Sequence, residues 1–197
     1  KVEELIPRVG KVINVHIRLA QPPREFDGST GDAMPWRVQA NIAGGGYFYD
    51  LAPHQLDLYQ WIIGMMPTKV HSFCHYGKWH NIEVEDDCTI DATWENGAKG
   101  VFITSTGEYP GTNRLEIQLD KAKIVAESDS LKVTEFEVSE PEFSRTNTSS
   151  FGKIKCNLVE VETDGENTQH AGVINAWGGA ILRGETMVAD GREGING

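Results

Sequence analysis

The chain is short of several things, and each shortage excludes a class of function. Its three cysteines, Cys74, Cys88 and Cys156, are scattered and form no C-x-x-C. No disulfide framework is expected, and a reducing cytoplasm is the default compartment. Positive charge is scarce: 18 Lys and Arg stand against 29 Asp and Glu, a formal net charge of −11. Nucleic acid and anionic membrane both require a basic surface, so neither is expected as a partner. No apolar run approaches the length of a membrane span, and no signal peptide is visible. The dinucleotide fingerprint G-x-G-x-x-G is also missing, and no stretch alternates strand and helix in the βαβ manner.

What is present suits a globular protein. The 197 residues are 39% apolar and 24% charged, enough for one domain with a real core. Lys11 to Gln21 alternates, with Val12, Val15, Ile17 and Leu19 among polar neighbours, and predicts a strand. Residues 22–46 hold Pro22, Pro23, Pro35 and several glycines and read as a long loop, a feature that is usually functional. Thr68 to Tyr76 reads as a strand. Cys88 to Trp94 and Ala98 to Ser105 read as two strands joined at Glu95-Asn96-Gly97, an Asn-Gly hairpin signal. Arg114 to Leu119, Lys123 to Ala126 and Leu131 to Val138 continue the meander. Segment 139–152 reads as a loop, Lys155 to Glu162 as a strand, and 167–183 as a helix closed by Gly184. Strands run together instead of alternating with helices, which predicts an α+β fold with an open, largely antiparallel sheet.

One stretch carries chemistry. Gly44-Gly45-Gly46 leads into a segment with Asp50, His54 and Asp57, at spacings of four and three. On a helix those spacings stack the three side chains on one face. The helix is expected to start between Gly46 and Asp50, because Pro53 fits a first turn better than a middle, and to stop at Gly64. A carboxylate beneath an imidazole orients a base and tunes its protonation. The plainer alternative is that Asp50 caps the helix and His54 is an ordinary surface or core residue.

The string Gly-Gly-Gly-x-x-x-Asp-x-x-x-His-x-x-Asp, followed by an apolar helix ending in Gly, resembles the signature of the glucose–fructose oxidoreductase / inositol dehydrogenase / rhizopine-catabolism (Gfo/Idh/MocA) family. Trp36-Arg37 before the glycines, and Asn175-Ala176-Trp177 through Arg192-Glu193-Gly194 near the end, agree with it. The resemblance implies the family's C-terminal domain, which is like that of glyceraldehyde-3-phosphate dehydrogenase, with helices on one sheet face. It implies that an N-terminal Rossmann domain, which binds NAD or NADP, lies outside this chain, as does the family's Glu-Lys-Pro motif. The final helix would be capped by Asp190, with Glu193 completing a capping box.

The implied activity is hydride transfer between a secondary alcohol of a sugar or cyclitol and a nicotinamide, with His54 as base and Asp50 holding the imidazole or binding a neighbouring hydroxyl. Gly44, Gly45 and Gly46 would let the backbone approach the cofactor. Trp36 and Arg37 would wall and fork-bind the substrate. Asp57 would fix His54 or the glycine loop from behind, and His170 could face the pocket. The alternatives are a glycosidase of the same family that uses bound NAD transiently, and a non-catalytic sensor or assembly module. A homo-oligomer is expected through the uncovered sheet face, with apolar side chains drawn from Thr89 to Trp94 and Gly100 to Thr104.

No metal is expected. His71 and His75 stand about 13 Å apart on a strand, and Cys74 points to the opposite face. The cluster Glu83, Glu85, Asp86 and Asp87 reads as a solvated loop. Asn147-Thr148-Ser149 matches a glycosylation sequon and is incidental in a cytoplasmic protein.

Overall fold

The computed structural model describes residue 6 and residues 10–22, 34–163, 170–187 and 190–196. Two compact units divide the chain, Lys1–Glu162 and Thr163–Gly197. The first is built on one eight-stranded sheet: β1 (Val12–Ala20), β2 (Lys69–Tyr76), β3 (Glu85–Thr93), β4 (Lys99–Ser105), β5 (Thr112–Leu119), β6 (Ala122–Glu127), β7 (Ser130–Phe136) and β8 (Cys156–Val161). Their order across the sheet is β2-β3-β4-β1-β5-β6-β7-β8. Only β1 and β4 pair in parallel; every other pairing is antiparallel. This is the open, largely antiparallel α+β sheet that the clustered strands predict.

Before β2 the chain makes a 3-10 turn at Trp36–Val38, helix α1 (Ala40–Ala43) and helix α2 (Tyr47–Ile63). The segment from 34 to 46 is therefore not plain loop, while 23–33 lies outside the described residues. Gly64 ends α2 in the left-handed conformation, at φ 78°. Pro53 falls in the second turn, one turn later than its chemistry favours, and so deprives the Tyr49 carbonyl of its helical donor. The turn between β3 and β4 closes through the Gly97 N–H on the Trp94 carbonyl at 3.0 Å, with Gly97 at φ 85°.

Register decides what each sheet face carries. Val15, Ile17, Ile90, Ala92, Gly100, Phe102, Ile117, Ile124 and Val133 alternate onto one face and are buried. Helix α2 lies on this face with Ala52, Tyr59 and Ile62 buried. Phe48 meets Phe102 at 6.3 Å between ring centroids, and Tyr59 meets Trp94 at 5.8 Å. The Tyr59 hydroxyl donates to the Val101 carbonyl, and burial pushes this phenol up from its ordinary value, against a smaller opposing effect of a backbone hydrogen bond at Ile17. A Cβ on Gly100 would meet the Trp94 ring at 2.8 Å, so glycine is what lets helix and sheet close.

The opposite face differs from expectation. Ile90, Ala92 and Phe102 alternate onto the helix face, and Trp94 is buried. The open face instead mixes Val101 and Ile103 with Asp91, His16 and Arg18. It also carries an ion network in which Arg114 bonds Glu116 (2.8 Å) and Glu127 (2.5 Å), while Lys123 reaches Glu116 (2.5 Å). The open face is therefore mixed, with the exposed Phe73 and Leu158 standing among these charged groups.

Two other expectations are corrected. Segment 139–152 contains helix α3 (Glu140–Thr146), whose N-cap Ser139 accepts from the Glu142 N–H at 3.4 Å. Ser139-Glu140-Pro141-Glu142 is a capping sequence hidden in a Ser/Thr/Asn/Pro-rich stretch. The acidic cluster is no solvated loop: β3 starts at Glu85, and Glu85 and Asp86 are 6% and 2% exposed. Buried carboxylates need partners. Asp86 accepts the backbone N–H groups of Lys78, Trp79 and His80 at 3.0, 2.8 and 3.2 Å, tying the 77–82 loop to the sheet.

The second unit contains helix α4 (Ala171–Arg183), ended by Gly184 at φ 68°, and helix α5 (Glu193–Asn196). Of the expected helix 167–183, positions 167–169 lie outside the described residues. Asp190 accepts the Arg192 N–H at 2.8 Å, at the start of the turn that leads into α5.

Candidate functional site

The N-terminus of α2 opens on a cleft lined by Trp36, Arg37, Ala43, Gly45, Gly46, Tyr47, Tyr49 and Asp50. Five residues singled out from the sequence, Trp36, Arg37, Gly45, Gly46 and Asp50, thus come together. The 3-10 turn delivers the first two, with the Arg37 guanidinium stacked 4.5 Å above the exposed Trp36 ring. The cleft measures about 180 Å³. Complete small-molecule sites run to roughly 300–1,000 Å³, so these walls form part of a site.

Asp50, His54 and Asp57 follow one another up a single exposed face of α2, as their spacing predicts. Only Asp50 lines the cleft. Among the described residues no hydrogen bond joins Asp50 to His54, and none ties Asp57 to His54 or to the glycines. Among the described residues no group of three or more His, Cys, Asp and Glu side chains could hold a metal ion. His71 and His75 share the open face and Cys74 the other, as expected.

The three glycines have local reasons. Gly44 ends α1 in the left-handed region, at φ 82°. A Cβ on Gly45 would meet Tyr49 Cβ at 2.6 Å, and one on Gly46 would meet the Glu85 carbonyl oxygen at 2.3 Å. Their bare backbone serves the chain's own packing, and Gly45 and Gly46 also line the cleft. His170 is the N-cap position of α4, in the second unit, and its side chain makes no cap hydrogen bond.

One site residue was misread in the sequence. Glu85 Oε1 accepts the Tyr49 N–H at 2.9 Å. It caps α2 from a strand 36 positions away, satisfying a first-turn donor and placing negative charge at the positive end of the helix. Beside it, burial draws the Asp87 carboxyl upward, but hydrogen bonds from Lys78 (2.8 Å), Trp79 (3.0 Å) and Ser105 (3.1 Å) outweigh burial and hold it below its ordinary value. Alternation points to Asp86, which shares a parity with Cys88, Ile90 and Ala92, but gives no signal for Glu85, which falls on the other parity beside a register shift.

Comparisons with known proteins agree with this geometry. Oxidoreductase P35 of Formosa agariphila is 30% identical over 125 residues, covering 61% of this chain and 34% of that protein. The fold matches aldose-aldose oxidoreductase from Caulobacter crescentus, with a TM-score of 0.73 at 16% identity, over 98% of this chain and 53% of that one. It matches levoglucosan dehydrogenase, solved with NADH and L-sorbose, with a TM-score of 0.73 at 17% identity, over 98% and 56%. The chain therefore spans about a third of the curated relative and about half of each solved structure. The family model described as GFO/IDH/MocA C-terminal domain matches residues 3–125. On that match, which takes in the cleft, α2 and the sheet as far as β6, the chain belongs to the GFO/IDH/MocA C-terminal domain family.

Proposed function

We propose that the chain is the substrate-binding and catalytic C-terminal domain of an oxidoreductase that uses NAD or NADP and acts on a secondary alcohol of a sugar or cyclitol. The observation that carries this reading is the joining of Asp50, Trp36 and Arg37 at one cleft, with His54 one helical turn above Asp50. The likeness to an aldose-aldose oxidoreductase and to levoglucosan dehydrogenase bound to L-sorbose supports the substrate class. The reading places cofactor binding on a domain outside this chain, since the sequence carries no G-x-G-x-x-G.

Oxidising a secondary alcohol removes a hydride from carbon and a proton from oxygen. A nicotinamide supplies the hydride acceptor. This chain supplies the proton acceptor, a ring nitrogen of His54, since neutral imidazole suits that task near pH 7. Asp50 binds an adjacent hydroxyl or steadies the protonated ring. The Arg37 fork and the Trp36 face hold the polyol. Glu85 positions this machinery by fixing the first turn of α2.

The test is His54→Ala in the full-length enzyme. Turnover should fall by roughly 10²- to 10⁴-fold, the usual worth of general acid–base catalysis, while cofactor affinity stays near that of the parent. Near-parental turnover on the true substrate would reject His54 as the base.

A further inference from the structure

Cys74 and Cys88 are direct partners across β2 and β3, on the same face of the sheet. Their backbone pairing follows from alternation along β3. The Trp94 N–H bonds the Ala98 carbonyl, and the Asp86 carbonyl accepts from the Thr106 N–H, so even-numbered residues of this stretch turn their backbone groups toward β4. The Thr93 carbonyl accepts from the Thr68 N–H on the other side, so odd-numbered residues turn toward β2. Cys88 therefore turns its backbone away from β2. The Cys74–Cys88 pair is of the non-hydrogen-bonded kind, whose Cα atoms stand about 4.5 Å apart with side chains close together. That separation lies within the range of roughly 4.4–6.8 Å that disulfides span.

We propose that Cys74 and Cys88 are a reversible redox site, closing to a cross-strand disulfide when a peroxide oxidises the chain. The two thiols differ in a way that assigns their order. Cys74 is half-exposed, whereas Cys88 is buried at 1% exposure. Burial pushes the Cys88 thiol up, and its hydrogen bond to the Cys74 sulfur adds to this. Peroxide thus meets Cys74 first. The Cys74 sulfur attacks one peroxide oxygen, the O–O bond breaks, and one water leaves once the thiol proton is transferred, giving a sulfenic acid. The Cys88 sulfur then attacks the Cys74 sulfur. The S–OH bond breaks, and the Cys88 proton leaves with the hydroxyl as a second water. Two thiols lose two electrons and two protons in all, and the peroxide is reduced to two waters. Cys156 stands exposed on edge strand β8 and has no such neighbour among the described cysteines.

The whole 197-residue chain, reduced and then exposed to hydrogen peroxide, tests this directly. After the remaining thiols are alkylated, trypsin cleavage at Lys69, Lys78 and Lys99 places Cys74 in peptide 70–78 and Cys88 in peptide 79–99. The expected result is that most of Cys74 appears in these two peptides joined, two hydrogens lighter than their sum, and that dithiothreitol separates them. The proposal is overturned if Cys74 runs on to sulfinic acid while Cys88 stays free, if either joins Cys156 instead, or if both stay fully alkylatable. In Cys88→Ser the sulfenic acid loses its resolving partner, so dimedone should label Cys74 more strongly than in the parent; equal or weaker labelling overturns the order of attack. The parental digest decides the disulfide itself even where the variant fails to fold.

Discussion

At the scale of single residues, the carboxylates of 85–87 show how position in a fold redefines a charge. Three acidic residues in a row suggest solvent. Here Glu85 caps a helix, Asp86 gathers three loop N–H groups, and Asp87 binds Lys78, Trp79 and Ser105. A carboxyl held below its unfolded value stabilises the fold above that value, and the contribution is lost as pH falls through the folded value. Asp87→Asn should therefore lower the urea midpoint at pH 7. The gap between parent and variant should narrow once pH drops below about 4, the ordinary Asp value. Urea titrations at a series of pH values check this, and a gap that stays constant down to about pH 2.5 would show that the Asp87 charge is not what stabilises the loop.

At the scale of elements, α2 joins the sheet to the candidate site. One side, with Ala52, Tyr59 and Ile62, is sealed onto β1, β3 and β4, and the other presents Asp50, His54 and Asp57. The seal depends on Gly100, over which the Trp94 and Tyr59 rings close. In Gly100→Ala the new methyl group meets the Trp94 ring at 2.8 Å, and Tyr59 Cε1 lies 3.3 Å away, so the rings must shift. The cost should be about 1–3 kcal/mol, the usual range for overpacking a closed core. Chemical denaturation measures it, and a variant as stable as the parent would show that helix and sheet are less tightly joined than described.

At the scale of the molecule, the sheet forms a platform that carries a partial site. The cleft has a stacked Trp36–Arg37 wall and Asp50, with His54 one helical turn above, and the sequence carries no G-x-G-x-x-G. The chain by itself should bind neither NAD nor NADP. Titration calorimetry with each cofactor tests this, and micromolar binding of either would overturn the division of labour between two domains.

The sequence by itself determined the sheet, helix α2 and the Asp50–His54–Asp57 face, because these rest on local rules. Period-two alternation wrote β1, β3 and β4, and Gly64 and Gly184 stopped their helices by taking left-handed dihedrals that other residues avoid. The cleft was legible only as far as its residue types, Trp36, Arg37 and Asp50. Tertiary structure decided the rest, because each remaining feature depends on residues distant in the chain. Glu85 became a cap through Tyr49, and Gly46 became obligatory through the Glu85 carbonyl. Cys74 and Cys88, scattered in the sequence, became neighbours through strand register. The open face became a mixed one because register placed Ile90 and Phe102 on the other side, and no local pattern reports which face a helix will cover.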